Sequence, residues 1–195
     1  MAMLQPDLPP IMSGTPAAPT LETPRLILRG WRPEDLAAYA AMLADPETAH
    51  FITRYGEPYS EPEVWSEMAW LVGHWQLLGC GLFVVEERVT GAFLGRVGPL
   101  VPPGWPGFEI AWGLARHATG KGYAQEAARA AIDWSFETFA IERIVSIIHP
   151  DNHPSQRVAE RVGERRTEET FTPFRERCEI WELRREQWLA HRRSA

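Results

Sequence analysis

Apolar positions recur along this chain in two rhythms, and the alternation between them lays out the fold. Helical spacing appears first over 36–43, where Leu36, Tyr39, Ala40 and Leu43 fall on one face. Pro33 and the acids Glu34 and Asp35 suit the opening of that helix. Asp45-Pro46 is expected to end it, and 50–59, with Gly56 and Pro58, is expected to be a loop. Ser60 followed by Glu63 forms a capping box. Behind it, Val64, Met68, Leu71, Trp75 and Leu78 form one apolar stripe that Gly79-Cys80-Gly81 ends. A third helix is expected over 124–139. Its face of Ala124, Ala127, Ala128, Ala131 and Ser135 is small enough to lie close against a sheet.

Strand-like runs fill the rest, at 25–29, 82–86, 92–98, 108–114, 143–148, 165–172 and 177–183. Thr90-Gly91 predicts a hairpin between the second and third, and 108–114 completes an antiparallel run of three. The run 143–148 is almost continuously apolar, as in a strand buried on both faces. It follows a strand and a helix, which makes it parallel to 108–114. A short helix over 155–162 stops at Gly163, and 186–191 predicts a terminal helical turn. The fold class is therefore α+β, with a mixed sheet.

One stretch stands where a phosphate would bind. Thr119-Gly120-Lys121-Gly122-Tyr123-Ala124 joins the 108–114 strand to the Ala-faced helix. The first N–H groups of a helix lack intrahelical acceptors, and the peptide dipoles add positive charge there. Glycines allow close approach to the backbone. A plain tight turn accounts equally well for two glycines. A nucleotide fold is disfavoured, because neither the third glycine of a dinucleotide turn nor a Walker ending is present.

Composition narrows the function. The 195 residues suit one domain over 21–195, preceded by a Pro- and Ala-rich arm over 1–20 that is expected to be flexible. A net charge of −6 argues against a nucleic-acid partner and suits a cationic or amine-bearing one. No apolar run approaches the roughly 20 residues that span a bilayer, so no membrane partner is expected. No secretion signal is evident, and the two distant cysteines, Cys80 and Cys178, read as idle thiols of a cytoplasmic protein. No spacing suggests a metal site. Trp70 points away from its helix's stripe, as a surface residue or a partner contact.

Three blocks in order resemble the GNAT superfamily of N-acetyltransferases, in the branch of the ribosomal-protein N-terminal acetyltransferases. They are Glu22-Thr23-Pro24-Arg25-Leu26-Ile27-Leu28-Arg29; then Glu109-Ile110-Ala111-Trp112-Gly113-Leu114 leading into Gly120-Lys121-Gly122-Tyr123-Ala124; then Asn152-His153-Pro154-Ser155-Gln156-Arg157 continuing to Gly163. The resemblance covers about 20–190. It implies a mostly antiparallel sheet of six to seven strands, split like a V after the 108–114 strand, with helices on both faces. Acetyl-CoA would occupy the split. Trp112, Gly113 and Leu114 would offer backbone to its pantetheine arm, and Thr119 to Ala124 would cradle its pyrophosphate. Thr119 stands where the family usually carries Gln or Arg, so a cationic contact there is absent.

The same resemblance implies direct transfer to an amine, with no enzyme nucleophile. Glu109 is the expected base, directly or through water, or else the partner of a nearby polar group. Many relatives carry a Tyr as acid where this chain has Ala159. Ser155 is the next candidate, near the sulfur, or else a helix cap. Asn152 would hold the pantetheine amide, and Arg157 would meet a cofactor phosphate or an acidic side chain. His117, His149 and His153 could titrate near neutrality or be solvated loop residues. Arg175, Glu176 and Arg177 would border the acceptor cleft or form a solvated hairpin tip. The acceptor is a protein N-terminal amine or a small amine, and a homodimer is left open. The alternative is a non-catalytic acyl-CoA sensor or interaction module on the same fold.

Overall fold

The computed structural model describes residues 18–194, so the arm expected over 1–20 lies outside the described residues up to position 17. Eight strands form one sheet: β1 (Leu21–Glu22), β2 (Leu26–Arg29), β3 (Phe83–Glu87), β4 (Phe93–Leu100), β5 (Glu109–Leu114), β6 (Arg143–Ile148), β7 (Arg165–Phe171) and β8 (Cys178–Arg184). Their order is β1-β2-β3-β4-β5-β6-β8-β7. Every neighbouring pair is antiparallel except β5 and β6. The expected six to seven strands become eight because the two-residue β1 pairs with β2 at the sheet edge. Two residues carry too little pattern to register as a strand.

Six helices pack on this sheet: α1 (Asp35–Leu43), α2 (Pro46–Ile52), α3 (Glu61–Leu78), α4 (Tyr123–Thr138), α5 (His153–Val162) and α6 (Arg185–Ser194). The capping box before α3 is present, with Ser60 and Glu63 exchanging bonds. At α1, the Asp35 carboxylate accepts the Arg32 N–H at 2.7 Å and pairs with the buried Arg29 guanidinium, which also meets Glu86. These two acids hold the Arg29 pKa above its ordinary value.

α2 corrects the expectation of a stop at Asp45-Pro46 followed by a loop from 50. Asp45 accepts the Thr48 N–H at 3.1 Å, and Pro46 needs no donor in the first turn. The pair that ends α1 therefore also begins α2, and 50–52 belong to that helix.

Side chains of β5 alternate between two cores. Ile110 and Leu114 pack with Ala127, Ala128, Ala131 and Phe136 of α4. Ala111 packs with Tyr39, Met42, Leu43, Val64 and Leu71 from α1 and α3. On that second face a Cβ at Gly113 would stand 2.5 Å from Ile52 Cδ1, so glycine lets α2 press onto β5. The parallel pair β5–β6 registers only at Glu109 and Val145, where the Val145 N–H reaches Phe108 O at 2.9 Å. Beyond that point the two strands diverge.

Candidate active site

The divergence of β5 and β6 opens into a cleft of about 1040 Å³. Its lining includes Glu109, Ser155 and every residue singled out from the sequence for cofactor binding except Lys121. Lys121 contributes its carbonyl elsewhere, as acceptor for Arg25 Nη1 at 2.9 Å.

Glu109 stands at the apex of the split and is only 5% exposed. Burial pushes its carboxyl up to about 7. Three groups work against burial: the Trp105 indole N–H, the Ile147 backbone N–H and the charge of Arg96. The carboxylate is thus both hydrogen-bonded and on the cleft wall. The bond to a nearby polar group that the sequence left open is present, from Trp105.

Backbone geometry supplies donors along the same wall. The Ala115 N–H turns toward β4, reaching Leu94 O at 2.8 Å. Strand alternation then turns the polar groups of Leu114, Trp112 and Ile110 toward the β6 side. Ile110 O accepts there from Ser146 Oγ at 2.8 Å. Beyond it β6 has moved away, so Trp112 and Leu114 face the split.

The glycine turn follows. Gly120 has φ +74° and Gly122 has φ +80°, left-handed values that favour glycine. Gly122 is the N-cap of α4, and no side chain caps that helix. The N–H groups of its first turn are left for an external acceptor. Thr119 lines the cleft, with its hydroxyl donating to Arg116 O at 2.9 Å. The turn is clamped from behind. Arg25 Nε meets Glu126 Oε2 at 2.6 Å, Thr23 Oγ1 meets Glu126 Oε1 at 2.6 Å, and the Arg25 guanidinium lies over the Tyr123 ring.

On the opposite wall the cap of α5 is Asn152, not Ser155. Asn152 Oδ1 accepts the Ser155 N–H at 3.2 Å, leaving the Asn152 amide N–H₂ free of that task. Ser155 Oγ instead accepts the Trp112 indole N–H at 3.2 Å, across the split. Arg157 lines the cleft and forms no ion pair among the described residues.

Of the three histidines weighed from the sequence, His149 reaches the cleft and His117 and His153 do not; His50 lines it as well. The Asp151 N–H donates to His149 Nδ1, so Nε2 carries the proton toward Glu176 Oε2, 2.6 Å away. Arg175 and Glu176 line the cleft, whereas Arg177 bonds Thr170. Burial pushes the Cys178 thiol up to about 11 and the Cys80 thiol to about 12. Neither is a thiolate near neutral pH.

Sequence reasoning missed several members of the lining: Trp105, Arg96, Phe51, Arg54 and Phe174. It also missed Glu164. This carboxyl is fully buried 2.9 Å from Ser146 Oγ and is pushed by burial to about 8. Its Oε2 and Arg96 Nε are buried without a hydrogen-bond partner. Among the described residues no group of three or more His, Cys, Asp or Glu is placed to hold a metal ion. No helix among them is long and apolar enough to cross a membrane.

Comparison with known proteins places this geometry. Residues 25–165 match the family model described as an acetyltransferase (GNAT) domain. A Bacillus subtilis protein of uncharacterised function, YkkB, is 33% identical over 147 residues, which span 73% of this chain and 83% of that protein. An acetyltransferase from Agrobacterium tumefaciens superposes with a TM-score of 0.77 at 32% identity, covering 89% of this chain and 99% of that one. The RimL ribosomal L7/L12 α-N-protein acetyltransferase, solved in complex with coenzyme A, shares the fold at 15% identity. Its TM-score is 0.69, over 85% of this chain and 97% of that one. A sheet that parts after β5, an uncapped glycine turn at α4 and the family match lead to one assignment: the chain belongs to the GNAT family of acetyltransferases.

Proposed function

We propose that the protein transfers an acetyl group from acetyl-CoA to an amine, by direct attack within a ternary complex. The observation that carries this is the position of Glu109. A carboxyl with a pKa near 7 lies on the same cleft as the uncapped N-terminus of α4 and the open backbone of β5. The residues present fit acetyl-CoA. Trp112 and Leu114 offer strand-like donors and acceptors, and the first turn of α4 offers N–H groups to a pyrophosphate. Asn152 and Arg157 stand beside them. The RimL structure, which holds coenzyme A on the same fold, supports this placement.

Acetyl-CoA, once bound, supplies an acyl group activated as a thioester. The chain supplies the remainder. A protein N-terminal amine has a pKa of about 8 and a lysine-like small amine about 10.4, so either reaches the site largely protonated near neutral pH and must lose a proton to attack. Glu109 accepts that proton, directly or through one water. A base poised near the working pH contributes roughly 10²- to 10⁴-fold. The backbone N–H groups of Trp112 and Leu114 are the donors available to a developing oxyanion. Ser155 accepts its hydrogen bond from Trp112, so its own proton stays available to a departing sulfur. The acceptor is a protein N-terminal amine or a small amine, and the protein works in the cytoplasm.

The competing account is a non-catalytic acyl-CoA-binding module, motivated by Ala159 and Thr119. Thiol release from acetyl-CoA, measured against a panel of amines and N-terminal peptides, separates the two. Amine-dependent release supports the enzyme. Tight binding of acetyl-CoA with no release on any acceptor supports the module.

A further inference from the structure

Trp105 lies in the loop between β4 and β5, four residues before Glu109. Its indole N–H donates to Glu109 Oε2. The other side of the ring is held by the β7–β8 hairpin. Phe171 at the end of β7 stands 5.4 Å away centroid to centroid, and Phe174 in the turn 6.2 Å, both edge to face. Phe174 is half exposed and, like Trp105, lines the cleft. One side chain therefore touches both the proposed base and the hairpin that borders the open side of the cleft.

We propose that Trp105 is a positioning residue of the acceptor site, aiming the Glu109 carboxylate while Phe171 and Phe174 hold the indole in place. This rests on Glu109 being the base. An indole N–H donates and cannot accept, so its bond to the carboxylate favours the ionised form. The charged and titratable groups facing Glu109 come from three other elements. Arg96 on β4 favours ionisation. Glu164, after α5, and the Cys178 thiol on β8 are pushed up to about 8 and about 11 chiefly by burial, and the Glu109 charge adds in the same direction. Both are uncharged at neutral pH. Arg96 acts on Glu109 through charge, and the Ile147 N–H is fixed in β6. Among the described residues, Trp105 is the only donor to Glu109 whose aim depends on the acceptor-side hairpin.

Replacement by Phe keeps an aromatic ring for Phe171 and Phe174 to pack on and removes the N–H donor together with part of the indole. The carboxyl of Glu109 can be followed by NMR in protein labelled with ¹³C-glutamate, its signal assigned by loss in Glu109→Gln. In Trp105→Phe the titration midpoint of Glu109 should rise by about one pH unit. The acidic limb of kcat/KM for amine-dependent thiol release should rise with it. Plateau kcat should fall roughly 10-fold, within the range of acid–base contributions. Acetyl-CoA affinity should be unchanged. An unmoved midpoint overturns the role of Trp105. A moved midpoint with an unmoved rate limb overturns the assignment of Glu109 as base. Phe171→Leu, which loosens the support of the ring without touching Glu109, should move the midpoint the same way by less. No movement there, with Trp105→Phe unable to fold, also overturns the proposal.

Discussion

The indole N–H of Trp112 donates to Ser155 Oγ at 3.2 Å, joining β5 to α5 across the opening of the cleft. This bond uses acceptor capacity of the serine and leaves its O–H to donate elsewhere. Ser155→Ala should therefore lower kcat on the order of 10²-fold while leaving acetyl-CoA affinity within about threefold. Steady-state kinetics paired with calorimetric binding checks this. A loss confined to acetyl-CoA affinity would make Ser155 a binding group only.

At the glycine turn, Gly122 combines φ +80° with the N-cap position of α4. Gly122→Asp places a carboxylate where the first-turn N–H groups should receive a phosphate. Acetyl-CoA binding should be lost, with the fold retained by circular dichroism. Unchanged affinity would remove the phosphate role from 120–124.

Arg25 braces that turn from outside, holding Glu126 at 2.6 Å and the Lys121 carbonyl at 2.9 Å. Its side chain is 48% exposed, so the ion pair itself adds at most about 1 kcal/mol to stability. Arg25→Ala should lower Tm only slightly and weaken acetyl-CoA binding several-fold, because the turn loses its support. Thermal melts alongside calorimetry distinguish this from general destabilisation, in which Tm and affinity would fall together.

Glu164 makes stability depend on pH. Its carboxyl is raised from 4.5 to about 8 in the folded protein, so between those values the folded state holds a proton that the unfolded state has released. The contribution is full below about 4.5 and is lost as pH rises through about 8. The slope for this one group is about −1.4 kcal/mol per pH unit. Glu109, raised to about 7, contributes in the same direction over a narrower window. Glu164→Gln should flatten the decline and raise stability relative to the parent at pH 8. Denaturant melts from pH 5 to 9 test this, and parallel curves for the two proteins would contradict it.

Much of this was legible because local chemistry and tertiary role agreed. The apolar run of β6, the capping box before α3 and the small face of α4 each carry their own signal. The glycine turn was legible through its place between strand and helix. What escaped had no local pattern. Asp45-Pro46 stops one helix and starts the next with the same two residues, and in sequence the pair reads only as a stop. Trp105 lies in a loop of prolines and glycines, and its partners Phe171 and Phe174 come from a distant hairpin. Glu164 follows the glycine that ends α5, a place where a charged residue is ordinarily solvated. Its burial depends on Ser146, which only the assembled sheet brings within reach. Ser155 reads as a cap in sequence because Ser caps well. Asn152, three residues earlier, occupies that role.

Amine acetylation with Glu109 as base stands or falls on Glu109→Gln. The rate of acetylated-amine formation at saturating acetyl-CoA should be followed from pH 5 to 9 in both proteins. The parent should gain rate as pH rises through about 7, where the Glu109 carboxyl ionises. The variant should be slower by roughly 10²- to 10⁴-fold, should lose that rise, and should bind acetyl-CoA with unchanged affinity. An undiminished rate with the same pH profile would contradict the account.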